Sequence, residues 1–160
     1  MKKIYTWLLL SASLICSVAL TSCGDNWVPG PAPGYDDFYD PALTGLWELT
    51  EINGGYVLPS EVNCLEFNGN GRGWYYYLRG GVPYEEPMSY WCQYSVNNVS
   101  DFQVNIRYSG SSPSTMNYWF SHGGNYLYME WYSYGHGVVT YVYRSVSSLP
   151  RPWQAPGTRP

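Results

Sequence analysis

Hydrophobic and polar residues alternate along most of the chain after about residue 45, the pattern of β-strands with one buried face. The clearest case is 102–108, where apolar or aromatic residues occupy every second position. These rows are predicted to point inward: Leu65 and Phe67; Met88, Tyr90, Cys92, Tyr94 and Val96; Phe102, Val104, Ile106 and Tyr108; Met116, Tyr118 and Phe120. After the N-terminal apolar segment, no stretch has helical periodicity long enough to predict a helix.

Turns rich in glycine and asparagine separate the predicted strands at even spacing, because both residues adopt the positive φ that hairpins require. The predicted strands cover 46–52, 56–67 (interrupted near Pro59), 73–79, 88–96, 102–108, 115–121, 126–132 and 138–146. Eight strands with one buried face predict an all-β fold, an antiparallel up-and-down eight-stranded barrel. A two-sheet sandwich is the alternative.

The chain begins with a segment typical of exported proteins. Two lysines precede an apolar run over 4–20, which is short of the ~20 residues that span a bilayer. The motif Leu20-Thr21-Ser22-Cys23 resembles the lipobox of bacterial lipoproteins, which implies cleavage after a 1–22 signal peptide and lipidation of Cys23. Gly24 resembles the next residue of lipoproteins sent to the outer membrane. We expect an outer-membrane lipoprotein of the cell envelope, on either face; an ordinary secretory signal is the alternative.

Segments rich in proline flank the predicted barrel. Residues 23–42 combine prolines with glycine and aspartate, a composition that cannot bury a core, so we expect a flexible tether. Its aromatic residues could alternatively form a binding arm. Residues 148–160 are predicted to be a disordered tail. The barrel domain accordingly covers 43–147.

Charge is sparse and negative once the signal peptide is removed. Both lysines lie in that segment, so six arginines remain against twelve acidic residues, a formal charge of −6. This balance argues against nucleic acid and anionic membrane surfaces as partners. Tyr, Trp and Gly are plentiful, which is typical of strands. We expect one monomeric domain, tethered to the membrane only by its lipid.

Two cysteines, Cys64 and Cys92, remain after the signal peptide is removed and Cys23 is lipidated. Outside the cytoplasm such a pair most simply forms a disulfide. The two residues fall on the second and fourth predicted strands, however, and a disulfide needs Cα atoms within ~7 Å. The free-thiol alternative therefore stays open. A metal site is disfavoured, since zinc takes four ligands.

Two motifs at the ends of the predicted barrel resemble a known family. Gly45-Leu46-Trp47 resembles the G-x-W motif of lipocalins and their bacterial relatives, and Tyr143-Arg144 resembles their closing arginine. Residues 65–73 resemble the Leu-x-Phe and hairpin of lipocalin-like lipoproteins of Bacteroides-type bacteria. The resemblance implies that Trp47 lies across the closed end of the barrel and that Arg144 packs over its ring. The sequence predicts no helix beside the last strand, unlike in animal lipocalins.

No group of residues indicates catalysis. The G-x-G-x-G of 69–73 leads into a strand, whereas a phosphate loop leads into a helix. Glu85 and Glu86 would point to opposite faces, in a stretch whose prolines predict a loop. His122 and His136 lie in glycine turns with no evident partner. We expect no enzyme activity, cofactor or metal.

Aromatic residues are the one feature that suggests binding. An inward set is predicted to line an amphipathic pocket: Trp74, Tyr76, Tyr90, Tyr94 and Tyr118. An outward set is predicted to form a platform that stacks on sugar rings: Tyr75, Tyr77 and Trp91. Both sets could instead only stabilise the barrel through cross-strand pairs. We expect a small apolar or amphipathic ligand inside, or alternatively a glycan or protein partner on the outer face of a filled barrel.

Overall fold

The computed structural model describes residues 37–94, 102–121, 123–135 and 137–154. Two short 3₁₀ helices, Pro41–Leu43 and Arg151–Trp153, flank the strands. The strands in this part of the chain are β1 (Gly45–Ile52), β2 (Gly55–Tyr56), β3 (Asn63–Asn68), β4 (Arg72–Arg79), β5 (Val82–Tyr94), β6 (Phe102–Tyr108), β7 (Ser114–Ser121), β8 (Tyr126–Ser133) and β9 (Gly137–Val146). None of the helices described is long and apolar enough to cross a membrane.

Eight of these strands close into one antiparallel up-and-down barrel. From β3 to β9, consecutive strands pair with each other. β1 pairs with β3 on one side and with β9 on the other, which closes the barrel. The closing pair runs from Leu46 opposite Val146 to Ile52 opposite Tyr141. β2 is a two-residue extension beside the end of β1. The predicted barrel is confirmed, and the sandwich alternative is wrong because a single sheet closes on itself.

Six of the eight predicted strands match the structure to within one residue at each end. The clearest difference is β5, which begins at Val82 and includes Pro83 and Pro87, the stretch expected to form a loop. This part of β5 pairs only with β4, because pairing with β6 begins at Met88. One side of the strand therefore needs no hydrogen bonds, and proline is tolerated there.

An apolar core fills the half of the barrel near the start of β1. It contains Leu43, Trp47, Leu49, Leu65, Phe67, Met88, Tyr90, Cys92, Val104, Ile106, Tyr118, Leu127, Met129 and Tyr143. Trp47 is only 3% exposed. Its indole N–H donates to the carbonyl oxygen of Leu43 at 2.7 Å, and its ring lies 5.8 Å from that of Phe120. We call this the closed end, and the opposite one the open end.

The chain enters the barrel by crossing the closed end. Phe38 exchanges two backbone hydrogen bonds with Cys92, at 2.9 and 2.8 Å. β4 begins at Arg72, so it does not extend far enough to pair with the last residues of β5. Phe38 pairs with β5 at Cys92, in the position that a longer β4 would occupy. The entering segment thus completes the sheet where β4 is too short.

An aspartate holds this entering segment in place. The carboxylate of Asp40 accepts hydrogen bonds from the hydroxyl of Tyr118 and from the backbone N–H of Ala42, both at 2.8 Å. The expectation of a flexible tether is therefore wrong for 37–42, which pack on the barrel. Residues 23–36 lie outside the described residues.

The segment after β9 packs on the outer face of β3 and β4. We call Leu149–Trp153 the C-terminal strap. Leu149 and Trp153 are 7% and 3% exposed, and they cover Cys64 and Tyr76. The expectation of a disordered tail is wrong for this strap, because two large apolar side chains anchor a proline-rich segment. Residues 155–160 lie outside the described part of the chain.

Arg144 lies on the outer face of the barrel. The register pairs it with Glu48, and its guanidinium donates to that carboxylate at 2.8 Å. Trp47 is the neighbour of Glu48 along β1, so its side chain points to the opposite, inner face. The expected packing of Arg144 over the Trp47 ring is therefore wrong. Backbone pairing between β1 and β9 closes the barrel, and the arginine adds an exposed ion pair.

Trp47→Ala should lower the free energy of unfolding by about 3–5 kcal/mol, because it leaves a cavity in the closed end. Arg144→Ala should lower it by less than about 1 kcal/mol, because exposed ion pairs contribute little. Urea unfolding followed by circular dichroism measures both. Losses of equal size would contradict these positions of the two side chains.

Candidate functional site

The open end of the barrel contains a cavity of about 190 Å³. The side chains that line it come from β3, β4, β6, β7, β8 and β9: Asn63, Leu65, Tyr75, Tyr108, Ser114, Met116, Trp131, Tyr141 and Tyr143. Leu65 and Tyr143 also belong to the apolar core, so they form the floor of the cavity. We call this cavity the open-end cup. Most of its wall is aromatic.

The inward direction of Tyr75 follows from the register between β3 and β4. Leu65 pairs with Tyr75 and Phe67 with Gly73, so these four residues share the inner face. A side chain at Gly73 would collide with the backbone oxygen of Glu66 and would lie 2.6 Å from the methyl group of Met88. Only glycine fits at that position.

The predicted inward and outward sets are therefore reversed on β4. Tyr75 and Tyr77 face inward, whereas Trp74 and Tyr76 face outward and pack with the C-terminal strap. The Tyr76 hydroxyl donates to the carboxylate of Glu66, which is also on the outer face, at 2.5 Å. Both assignments made for this strand are wrong, because both of its faces are aromatic and alternation alone could not distinguish them.

Two residues of the predicted pocket, Tyr90 and Tyr118, do face inward, but they lie in the closed end. Tyr90 is 1% exposed, and its hydroxyl donates to the backbone oxygen of Asn68 at 2.6 Å. Tyr118 is bonded to Asp40. These hydroxyls hold the turn after β3 and the entering segment. Neither lines the cup.

Tyr94 lies at the rim of the closed end, 53% exposed, with its ring 5.2 Å from Phe38 and 5.6 Å from Phe102. No member of the predicted inward set therefore lines the cup. Trp91 is on the outer face and partly buried, but Tyr75 and Tyr77 are not beside it. The predicted outward platform is thus wrong as a set.

A series of tyrosine rings leads from the cup up the hairpin of β4 and β5. The ring centroid of Tyr75 lies 5.2 Å from Tyr108, at an interplanar angle of 52°, and 5.0 Å from Tyr77. Tyr77 stacks in turn on Tyr84 at 5.5 Å. Glu86 pairs with Tyr75 in the register and so stands on the same face. We call Tyr108, Tyr75, Tyr77 and Tyr84 the tyrosine ladder.

The phenol groups of Tyr75, Tyr108 and Tyr143 stay protonated at neutral pH. Burial is the main cause that raises the pKa of Tyr75, Tyr108 and Tyr143 above the ordinary value for tyrosine. The negative charge of Glu86 adds to this effect on the pKa of Tyr75 and Tyr108. The cup therefore presents neutral rings with hydroxyl groups.

Asn63 adds a polar atom to the wall of the cup. Its side-chain oxygen is buried and has no hydrogen-bond partner within the part of the chain that the structure describes. A buried acceptor of this kind is costly unless a donor reaches it. A ligand hydroxyl or a water molecule in the cup could supply that donor.

Most residues of the cup are not among the site residues predicted from the sequence. Tyr108 is predicted to point inward but is not assigned to a site. On β8, Leu127 and Met129 belong to the core, so Trp131, two positions further along, also faces inward. Tyr141 on β9 pairs with Met129 and therefore shares that face. Glu86 was missed because its stretch was predicted to be a loop.

Cys64 and Cys92 are buried free thiols, so the predicted disulfide is wrong. β4 lies between their strands, and two strand spacings amount to about 10 Å, beyond the ~7 Å that a disulfide spans. Cys64 also faces outward, under the strap, whereas Cys92 belongs to the inner core. Cys23, His122 and His136 lie outside the described residues.

Comparisons with models of protein families, with curated proteins and with solved structures give no significant match to this chain.

Trp153→Ala should make Cys64 reactive towards a thiol reagent while Cys92 stays protected. Burial raises the pKa of the Cys64 thiol to about 12, so neither the thiolate nor an accessible surface is present in the native protein at pH 8. Mass-spectrometric mapping of iodoacetamide labelling measures each site. Fast labelling of Cys64 in the native protein, or equal labelling of both cysteines in the variant, would contradict the strap.

Proposed function

We propose that this chain is a lipid-anchored, lipocalin-like protein of the cell envelope that binds a small amphipathic ligand in the open-end cup. The observation that carries the proposal is the aromatic cavity of about 190 Å³ at the open end. The rest of the interior is filled by the apolar core. An eight-stranded barrel is just wide enough for such a filled interior or for one small ligand.

The size of the cup limits the ligand. Pockets for drug-sized molecules have about 300–1,000 Å³, whereas an engineered apolar cavity of about 150 Å³ holds one benzene. With about 190 Å³ the cup has room for a group of comparable size. The ligand, or the part of it that enters, is therefore no larger than about one ring.

The chemistry of the wall favours an amphipathic ligand. Leu65, Met116 and the aromatic rings supply apolar contacts, and the tyrosine hydroxyls and the oxygen of Asn63 supply hydrogen-bonding groups. Amphipathic ligands match both, since apolar surface gives affinity and a few polar groups fix orientation.

The direction of the cup agrees with an N-terminal anchor. Residues 37–43 cross the closed end, so the chain that leads back to Cys23 attaches at that end. The cup opens at the other end of the barrel. A ligand can thus reach it from the aqueous side while the lipid holds the opposite end.

Ser114→Phe should weaken ligand binding at least tenfold, because Ser114 lines the cup and a phenyl ring would fill it. Asn117→Phe is the matched control, since it adds the same ring to the outer face of the same strand. NMR titration of neutral one-ring alcohols and phenols against both variants and the wild type measures the effect. Equal binding by Ser114→Phe and the wild type, or no binding of the panel to the wild type at millimolar concentration, would overturn the proposed site.

Cys23→Ser should release the protein from the membrane fraction of a Gram-negative host, because the acyl chains can no longer be attached. Cys16→Ser, within the predicted signal peptide, should leave the protein membrane-bound. Fractionation with labelling by an alkyne fatty acid measures both. Retention of Cys23→Ser in the membrane fraction would contradict the proposed anchor.

A further inference from the structure

Among the residues that the structure describes, one carboxylate, that of Glu86, stands on the aromatic inner face of the open end. Glu86 is an inward residue of β5 that pairs with Tyr75 on β4, and Met88, two positions further along β5, pairs with Tyr108 on β6. Glu85, its neighbour, pairs with Tyr76 and faces outward. The charge of Glu86 acts on both flanking phenols, raising the pKa of Tyr75 and Tyr108, which agrees with its place beside them.

No basic side chain pairs with Glu86 among the described residues. The nine residues that line the cup include no charged group, so Glu86 stands beside the cup and is not part of its wall. On the inward side of β4, the nearest basic residue is Arg79, at the exposed tip of the hairpin. It lies about 13 Å along the strand from Tyr75, the residue that pairs with Glu86. The carboxylate thus places a negative charge without a basic partner beside the cup, on the inner face next to Tyr75.

The rings beside Glu86 attract the same kind of ligand as its carboxylate does. The face of a tyrosine ring is electron-rich and binds ammonium groups, most strongly where water is excluded. Tyr75 and Tyr108 are tilted by 52° to each other, so the two rings form a wedge instead of a closed stack. Because the phenols of Tyr75 and Tyr108 remain neutral, the carboxylate of Glu86 is the charged group beside these rings. Rings and carboxylate together favour a compact cation.

We propose that the ligand of the open-end cup is a small substituted ammonium compound, held by the rings of Tyr75 and Tyr108 and by the carboxylate of Glu86. This inference rests on the proposed function and specifies its ligand class. The polar arm of such a compound would reach the oxygen of Asn63, whose missing donor a ligand hydroxyl supplies.

Choline and its uncharged isostere 3,3-dimethylbutan-1-ol are the probes that test this inference, because they differ in charge and hardly in shape. Isothermal titration of the folded protein should show at least tenfold tighter binding of choline. Glu86→Gln should abolish this preference and leave the affinity for the isostere unchanged. Glu85→Gln, which removes a carboxylate from the outer face of the same strand, should retain the full preference.

Equal affinities of the wild type for both probes would overturn the cationic ligand, while binding of the isostere that Ser114→Phe abolishes would still support the cup. A preference for choline that survives in Glu86→Gln would overturn the role assigned to that carboxylate. Failure of choline to bind would overturn the inference, and the neutral panel would then decide separately whether the cup binds any ligand. Thermal unfolding of each variant verifies that it is folded.

Discussion

The close approach of β3, β4 and Met88 at Gly73 is the constraint on which the interior of this barrel depends. No side chain can occupy that inward position, because the backbone oxygen of Glu66 and the methyl group of Met88 already fill it. The period of two along a strand then turns Tyr75 and Tyr77 inward and Trp74 and Tyr76 outward. One glycine thus sets which aromatic rings face the cavity and which must be covered from outside.

The two ends of the barrel are filled to different extents. At the closed end, Trp47 and the entering segment add enough apolar surface to fill the interior, and Asp40 fixes that segment through Tyr118. At the open end, side chains from six strands, including rings from four of them, meet without filling the space between them, which leaves the cup. The outward aromatic residues of β4 would be exposed without the C-terminal strap, whose Trp153 packs against Tyr76 at 6.2 Å. The filled core and the cavity thereby lie in different halves of one barrel.

The strand pattern and the turns were sufficient to predict the closed barrel, because period-two alternation is strong wherever one face is polar, as in 102–108. The interior of β4 could not be predicted in the same way, since 74–78 is aromatic or aliphatic on both faces. The missing information is in the hairpin. Asn68 pairs with Arg72 across a three-residue loop, and that register carries the inward face of Phe67 over to Gly73. Composition also misled at the C-terminus, where prolines predict disorder but two large apolar side chains hold the strap.

The orientation of β4 can be measured by a NOESY spectrum of the protein with selectively labelled tyrosine and tryptophan. The structure predicts cross-peaks between the rings of Tyr75 and Tyr108, and between those of Tyr76 and Trp153. Cross-peaks from Tyr76 to Tyr108, together with cross-peaks from Tyr75 to Trp153, would show the opposite orientation and remove the wall of the cup.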